Sequence, residues 1–220
     1  HPRIRVFVLD DLSVGVTKAM LDGRADIGVL VDSPQVYGLR STPLARETMY
    51  FCGRDSARSV RKLLRAPRRR RGAGLQPTAY PSIDFDDAAA QPLVLQSRRF
   101  SIRRKVEEAA AERGVSLNIT HEHDSARVIR SLNACGAGFT FTPACTLPRH
   151  PVADPDWIVA RVVNPELPRT YTLAWAANRE VDQVMSAVLD ALAAVIDTLV
   201  KEGRWEAQSA LRQGDALVQK

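Results

Sequence analysis

Cysteine is scarce in this chain, with three in 220 residues. Cys52, Cys135 and Cys145 lie far apart and form no C-x-x-C pair, which excludes a disulfide framework and points to reduced thiols. All three are expected to pack as small buried hydrophobes. No apolar run reads as long enough to cross a bilayer, so no membrane partner is expected. The opening "HPRIRVFVLDD" has no charged-then-apolar leader with a small-residue cleavage site, which leaves secretion unsupported. It starts with His1 instead of Met, as a fragment would. Also missing are a G-x-S-x-G elbow, a P-loop and a dinucleotide glycine fingerprint. Without a nucleophile, base or metal set to replace them, neither an enzyme nor a cofactor is expected.

Charge is present but unevenly placed. The net charge is +6, which by itself suggests a nucleic-acid partner. Residues 58–71, "RSVRKLLRAPRRRR", hold eight of the cations and no acid, and without them the balance falls to −2. The run lacks interleaved aromatics. It is therefore expected to be a solvated loop rather than a DNA contact.

Periodicity supplies the fold class. "RIRVFVLDD" alternates as a strand, "SVGVTKAMLDG" has helical spacing with Ser13 as an N-cap, and "ADIGVLV" reads as a strand buried on both faces. Strand, helix and strand in 30 residues make a βαβ unit. An extended "ETMYFCG" follows the turn-like "STPLA". Residues 54–91 then lose periodicity and read as an exposed, irregular insertion. A second β-α-β-α-β unit follows: "PLVLQS", a helix from Ser101 to a stop at Gly114, "VSLNITHEH", a helix capped by Asp124 or Ser125, and "GAGFTFTP". "RTYTLAWAA" is a further strand. A closing helix over 180–201 carries Val184, Val188, Leu192, Val195 and Leu199 as its core stripe, and 206–220 read as a polar tail.

The chemistry-bearing residues are few. His121 and His123 alternate onto one strand face, but no third ligand stands at a metal-binding spacing. Asp10 with Asp11, and Asp86 with Asp87, are adjacent and so cannot act as a convergent pair. Hydroxyls cluster at helix starts: Ser13, then Ser97 with Ser101. There, free backbone N–H groups can hold a carboxylate or sulfate, although N-capping alone also explains them.

The ordered set of L-x-x-G-x-x-D (Leu21, Gly23, Asp26), R-x-x-V-E (Arg103, Val106, Glu107), D-S before a helix, and G-x-G before a strand ending in proline resembles the C-terminal effector-binding domain of LysR-type transcriptional regulators. The resemblance covers 1–52 and 92–202. It implies an α/β, two-lobed, type 2 periplasmic-binding-protein-like fold, with lobe I over 1–46, lobe II over 47–171 carrying the 54–91 insertion, and a return to lobe I over 172–205. It implies a cytoplasmic sensor that closes on a small, anionic inducer and forms a homo-oligomer, dimer or tetramer. DNA would be bound through a winged helix-turn-helix domain that this chain does not contain. Family domains open with one more strand and helix, so the first lobe is expected to be incomplete. By position, Ser13, Ser97, Arg98, Ser101 and Thr142 are the effector contacts that the resemblance implies. A periplasmic-type solute-binding protein for transport is the alternative on the same fold.

Overall fold

The structure is a computed structural model that describes residues 4–66, 80–147 and 154–210. The Arg68–Arg71 run lies outside the described residues. In chain order the elements are α1 (Ser13–Leu21), β1 (Ile27–Val31), β2 (Leu39–Arg54), a 3-10 turn (Val60–Leu63), β3 (Ser82–Asp84), α2 (Phe85–Ala89), β4 (Leu93–Leu95), α3 (Ser101–Arg113), β5 (Ile119–Glu122), α4 (Ala126–Ala134), β6 (Phe139–Pro143), a second 3-10 turn (Ala144–Thr146), β7 (Trp157–Val163), β8 (Pro168–Ala176), α5 (Gln183–Lys201) and β9 (Ala207–Ser209). They form two compact units: unit 1 is 1–46 with 169–220, and unit 2 is 47–168.

Unit 1 orders its strands β1-β8-β2, with β9 also on β2. The β1–β8 pair is antiparallel, Ile27 opposite Trp175 through Val31 opposite Tyr171. Helix α1 presses directly onto β1 because Gly28 leaves room: a Cβ there would meet Val16 Cγ1 at 2.7 Å and Met20 Sδ at 2.8 Å. This close approach brings the start of α1 to the end of β1. Helix α5 is preceded by its N-cap Asp182, whose carboxylate accepts from Met185 N at 2.7 Å.

Unit 2 orders its strands β5-β4-β6-β2-β7, with β3 on β7. Strands β5, β4 and β6 are mutually parallel through β4, while β2 runs antiparallel to both β6 and β7. The core between this sheet and its helices is aromatic. Phe51 stacks on Phe139 with centroids 5.0 Å apart and meets Phe141 edge-on at 5.7 Å, and Phe85 closes on Phe141 at 5.9 Å. Helix α3 contributes Val106, Ala109 and Ala110 to it and stops at Gly114, which adopts the left-handed conformation with φ 66°.

Several expectations fail for identifiable reasons. "RIRVFVLDD" forms no strand over its described residues 4–11. Alternation favours a strand only where a neighbour accepts its ladder, and Val6, Phe7 and Val8 stand exposed. "STPLA" is not a turn but part of the 16-residue β2; exposed Pro43 is tolerated inside it. The 54–91 stretch is not simply an exposed insertion, since Val60, Ile83, Phe85, Ala88 and Ala89 are buried in the unit 2 core. The α5 stripe is rotated: Met185, Leu189 and Ala193 are buried, whereas Val184 and Val195 are exposed. By length and composition α5 is apolar enough to cross a bilayer, but this face packs into the unit 1 core with Leu173 and Trp175. The polar-tail reading misses β9, where Ala207 is buried. Finally, Cys52 is buried but Cys135 and Cys145 are exposed, because they stand at the end of α4 and in the second 3-10 turn.

Candidate functional site

Three parallel neighbours, β4, β5 and β6, end on the same rim of the unit 2 sheet. Carboxyl ends of parallel strands, where helices begin, are the general ligand-binding edge of open α/β sheets. After β4 comes the 96–100 loop and then α3; after β5 come His123–Ser125 and then α4; after β6 comes the second 3-10 turn.

The structure therefore gathers four of the five predicted residues on one rim: Ser97, Arg98 and Ser101 around the start of α3, and Thr142 near the end of β6. Ser13 lies in unit 1. Its hydroxyl is not an N-cap, since Leu12 holds that position without a side-chain bond. Instead, Ser13 Oγ accepts from Val31 N at 2.9 Å and donates to Val31 O at 3.2 Å, tying the start of α1 to the end of β1. The next residue, Asp32, is in the left-handed region with φ 49°. Its carboxylate takes Arg169 Nε at 3.2 Å and Thr170 N at 3.0 Å. Ser101 is likewise the first helical residue and not the cap, which is Phe100. By contrast, Ser125 caps α4, its hydroxyl 3.5 Å from Val128 N.

The loop after β4 is held by arginines. Arg103 is 5% exposed and donates to Gln96 O at 3.0 Å, Glu107 Oε1 at 2.9 Å and Glu122 Oε2 at 2.8 Å. Arg104 reaches Arg98 O at 3.3 Å and Arg99 O at 3.0 Å, and Phe100 N donates to Ser97 O at 3.1 Å. The carbonyls of residues 96 to 99 are thus all engaged, which fixes the loop. Arg98 directs Nε to both oxygens of Glu107, at 3.0 and 3.1 Å, although its side chain remains 78% exposed. Burial pushes the Glu107 carboxyl up, but hydrogen bonds from Arg98 and Arg103 outweigh it and hold the group below its ordinary 4.5.

The remaining rim residues are also fixed. Thr142 Oγ1 lies 2.6 Å from Thr146 Oγ1, and Thr146 donates to Pro143 O at 2.9 Å. Buried Glu47 accepts from Cys145 N at 2.8 Å, pinning the turn after β6. His123 Nδ1 accepts from Ser125 N at 2.9 Å and so shapes the loop before α4; His121 Nδ1 is 3.1 Å from Thr120 Oγ1. Burial raises the Cys52 thiol to about 12, with Arg130 pulling the other way, so it stays protonated and unreactive. The sequence reading missed Arg103 as an organiser of the loop, and Glu47. The i,i+4 spacing of Arg103 and Glu107 was the available signal for the first; Glu47, 98 residues from its partner, offered none.

The two α/β units have the type 2 periplasmic-binding-protein-like fold, which solved effector-binding domains share. The family model described as the LysR substrate binding domain matches residues 1–197, and the chain belongs to that family. The chain is 24% identical over 220 residues to the uncharacterized HTH-type transcriptional regulator YfeR of Shigella flexneri; the match takes in 100% of this chain and 61% of that protein. The chain thus spans about three fifths of the length of the curated relatives it matches. Among solved structures, the Synechocystis PCC6803 CcmR regulatory domain in complex with 2-PG superposes with TM-score 0.69 at 16% identity, covering 90% of this chain and 86% of that one. The BenM effector binding domain with its effector benzoate gives TM-score 0.69 at 16% identity, covering 92% and 82%.

Proposed function

We propose that this chain is the effector-sensing domain of a cytoplasmic bacterial transcriptional regulator, and that the Ser97 loop of unit 2 is an anion-binding subsite for a small inducer. The observation that carries this reading is the rim. A fixed loop carries Ser97, with its N–H on the rim and its hydroxyl buried, just ahead of the Phe100 cap of a 13-residue helix, with Arg98 and Arg99 beside it. Such an arrangement favours a carboxylate or an oxyanion. Arg98, Ser101 and Thr142 are assigned as neighbours of that subsite, and Ser13 as a comparable position in unit 1. Two of the matched relatives are named as HTH-type transcriptional regulators and another as a nitrogen assimilation regulatory protein, which favours sensing over the transport alternative and over catalysis.

In this reading an inducer shifts a homo-oligomer between states, and DNA is bound by a part of the regulator outside this chain. Val14 and Leu21 on α1, with Val184 and Val195 on α5, are exposed and are assigned to contacts between copies. Sedimentation that finds only monomer at high concentration contradicts that assignment. For sensing itself, a thermal-shift screen of small carboxylates, amino acids and sulfate is expected to give saturable stabilisation without turnover. Chemical conversion of the stabilising compound would sink the reading.

A further inference from the structure

The donors that the proposed subsite offers to an incoming anion already face a carboxylate from the chain itself. Asp124 Oδ1 lies 3.3 Å from Ser97 N, and Oδ2 lies 3.4 Å from Arg99 Nε. Ser97, with Arg99 and His123, holds the Asp124 carboxyl below its ordinary range despite some desolvation. The Arg99 guanidinium is also steadied over the Phe100 ring, 5.5 Å from its centroid.

The surrounding charges leave Asp124 as the group able to yield. Arg103 is buried, and both it and Arg98 are engaged by Glu107; Arg103 also serves Glu122. The loop carbonyls are held by Arg103 and Arg104, so the loop cannot turn its donors elsewhere. Asp124 is different. Its side chain is 41% exposed and projects from the separate loop before α4, whose N-cap is supplied by Ser125. It can swing into water without opening the core. Two ionised carboxylates cannot share one N–H and one guanidinium without strong mutual repulsion.

We propose that Asp124 is a built-in competitor: a carboxylate or sulfate binds the Ser97 loop by displacing the Asp124 carboxylate, so Asp124 sets the affinity and the charge class that the subsite accepts. This inference rests on the anion-subsite reading above. The ligand's net affinity is its own interaction with the loop less the contact that Asp124 gives up.

The test uses the 220-residue chain with Asp124→Asn and Asp124→Ser. Each is titrated with sodium sulfate against sodium chloride at matched ionic strength, following the Ser97 amide by 15N–1H NMR. The wild type is expected to saturate, and both variants to bind sulfate roughly five- to tenfold more tightly, within the usual range of coupling between two ligands. Saturation seen only in the variants supports the proposal equally. Equal or weaker binding in the variants, with a wild-type response, overturns the proposal and leaves the anion subsite standing. A Ser97 amide that responds in none of the three proteins overturns the subsite, and the proposal with it. Unfolding midpoints measured without sulfate identify a misfolded variant, and the other substitution then decides.

Discussion

Unit 2 buries its large apolar side chains, with Phe51, Phe85 and Phe141 fully enclosed, whereas in unit 1 Val6, Phe7 and Val8 are 69%, 85% and 80% exposed. In unit 2, β2, β4 and β6 are each flanked on both sides. In unit 1, β1 has β8 on one side and, among the described residues, no strand on the other. Helix α5 covers the sheet with one face and presents apolar residues on another. The candidate anion loop therefore stands on the better-enclosed unit. Its fixed geometry follows from a core that can hold a buried arginine network in place.

The largest effects are expected in the two cores. Phe141→Ala is expected to cost about 4 kcal/mol in urea unfolding, as a large cavity opens among Phe51, Phe85 and Leu95. Leu189→Ala on α5 is expected to cost about 2.5 kcal/mol, because the surrounding unit 1 core is smaller and can collapse further into the gap. Equal costs would remove the distinction between the units.

Arg103→Met is expected to cost about 2 kcal/mol at pH 7, since Glu107, Glu122 and the Gln96 carbonyl lose a charged donor together. The pH dependence has a defined sign. The Glu107 carboxyl sits lower in the folded chain than its ordinary 4.5, so its contribution is full above that value and is lost as pH falls through the depressed folded one. Wild type should lose stability faster than Arg103→Met in that acid window. Parallel curves contradict the assigned network.

The smallest effect is expected on the exposed segment of unit 1. Phe7→Ser should change stability by no more than about 0.5 kcal/mol, and a loss above about 2 kcal/mol would mean that this segment is packed. At the level of single thiols, a maleimide should label Cys135 and Cys145 in the folded chain and reach Cys52 only on unfolding. Rapid labelling of Cys52 would contradict its burial.

Much of this fold was legible because local signals and tertiary packing agree. Gly114 stops α3, Ser125 caps α4, and the "FTFTP" and "RTYTLAWAA" runs are strands because their hydrophobic pattern meets the cores on which they pack. The failures are tertiary. Nothing local distinguishes "RIRVFVLDD" from a paired strand, since the missing term is a neighbour. The 54–91 stretch looked irregular because Val60, Ile83 and Phe85 reach the core singly and not as a periodic face. β7, "WIVARVV", alternates cleanly between buried and part-buried positions and was the most readable element missed. For the candidate site, motif order located the Ser97 loop. The roles of Arg103 and Asp124 became visible only when residues 19 to 27 positions apart met on one rim.

Hydrogen–deuterium exchange of the 220-residue chain, with and without the best compound from the thermal-shift screen, decides whether the Ser97 loop receives the ligand. Saturating ligand is expected to slow exchange first across residues 96–101, and Ser97→Ala to abolish this protection while leaving the unliganded exchange pattern of β2 and β6 unchanged. Protection that leaves 96–101 untouched, or that survives Ser97→Ala in full, would contradict binding at that loop.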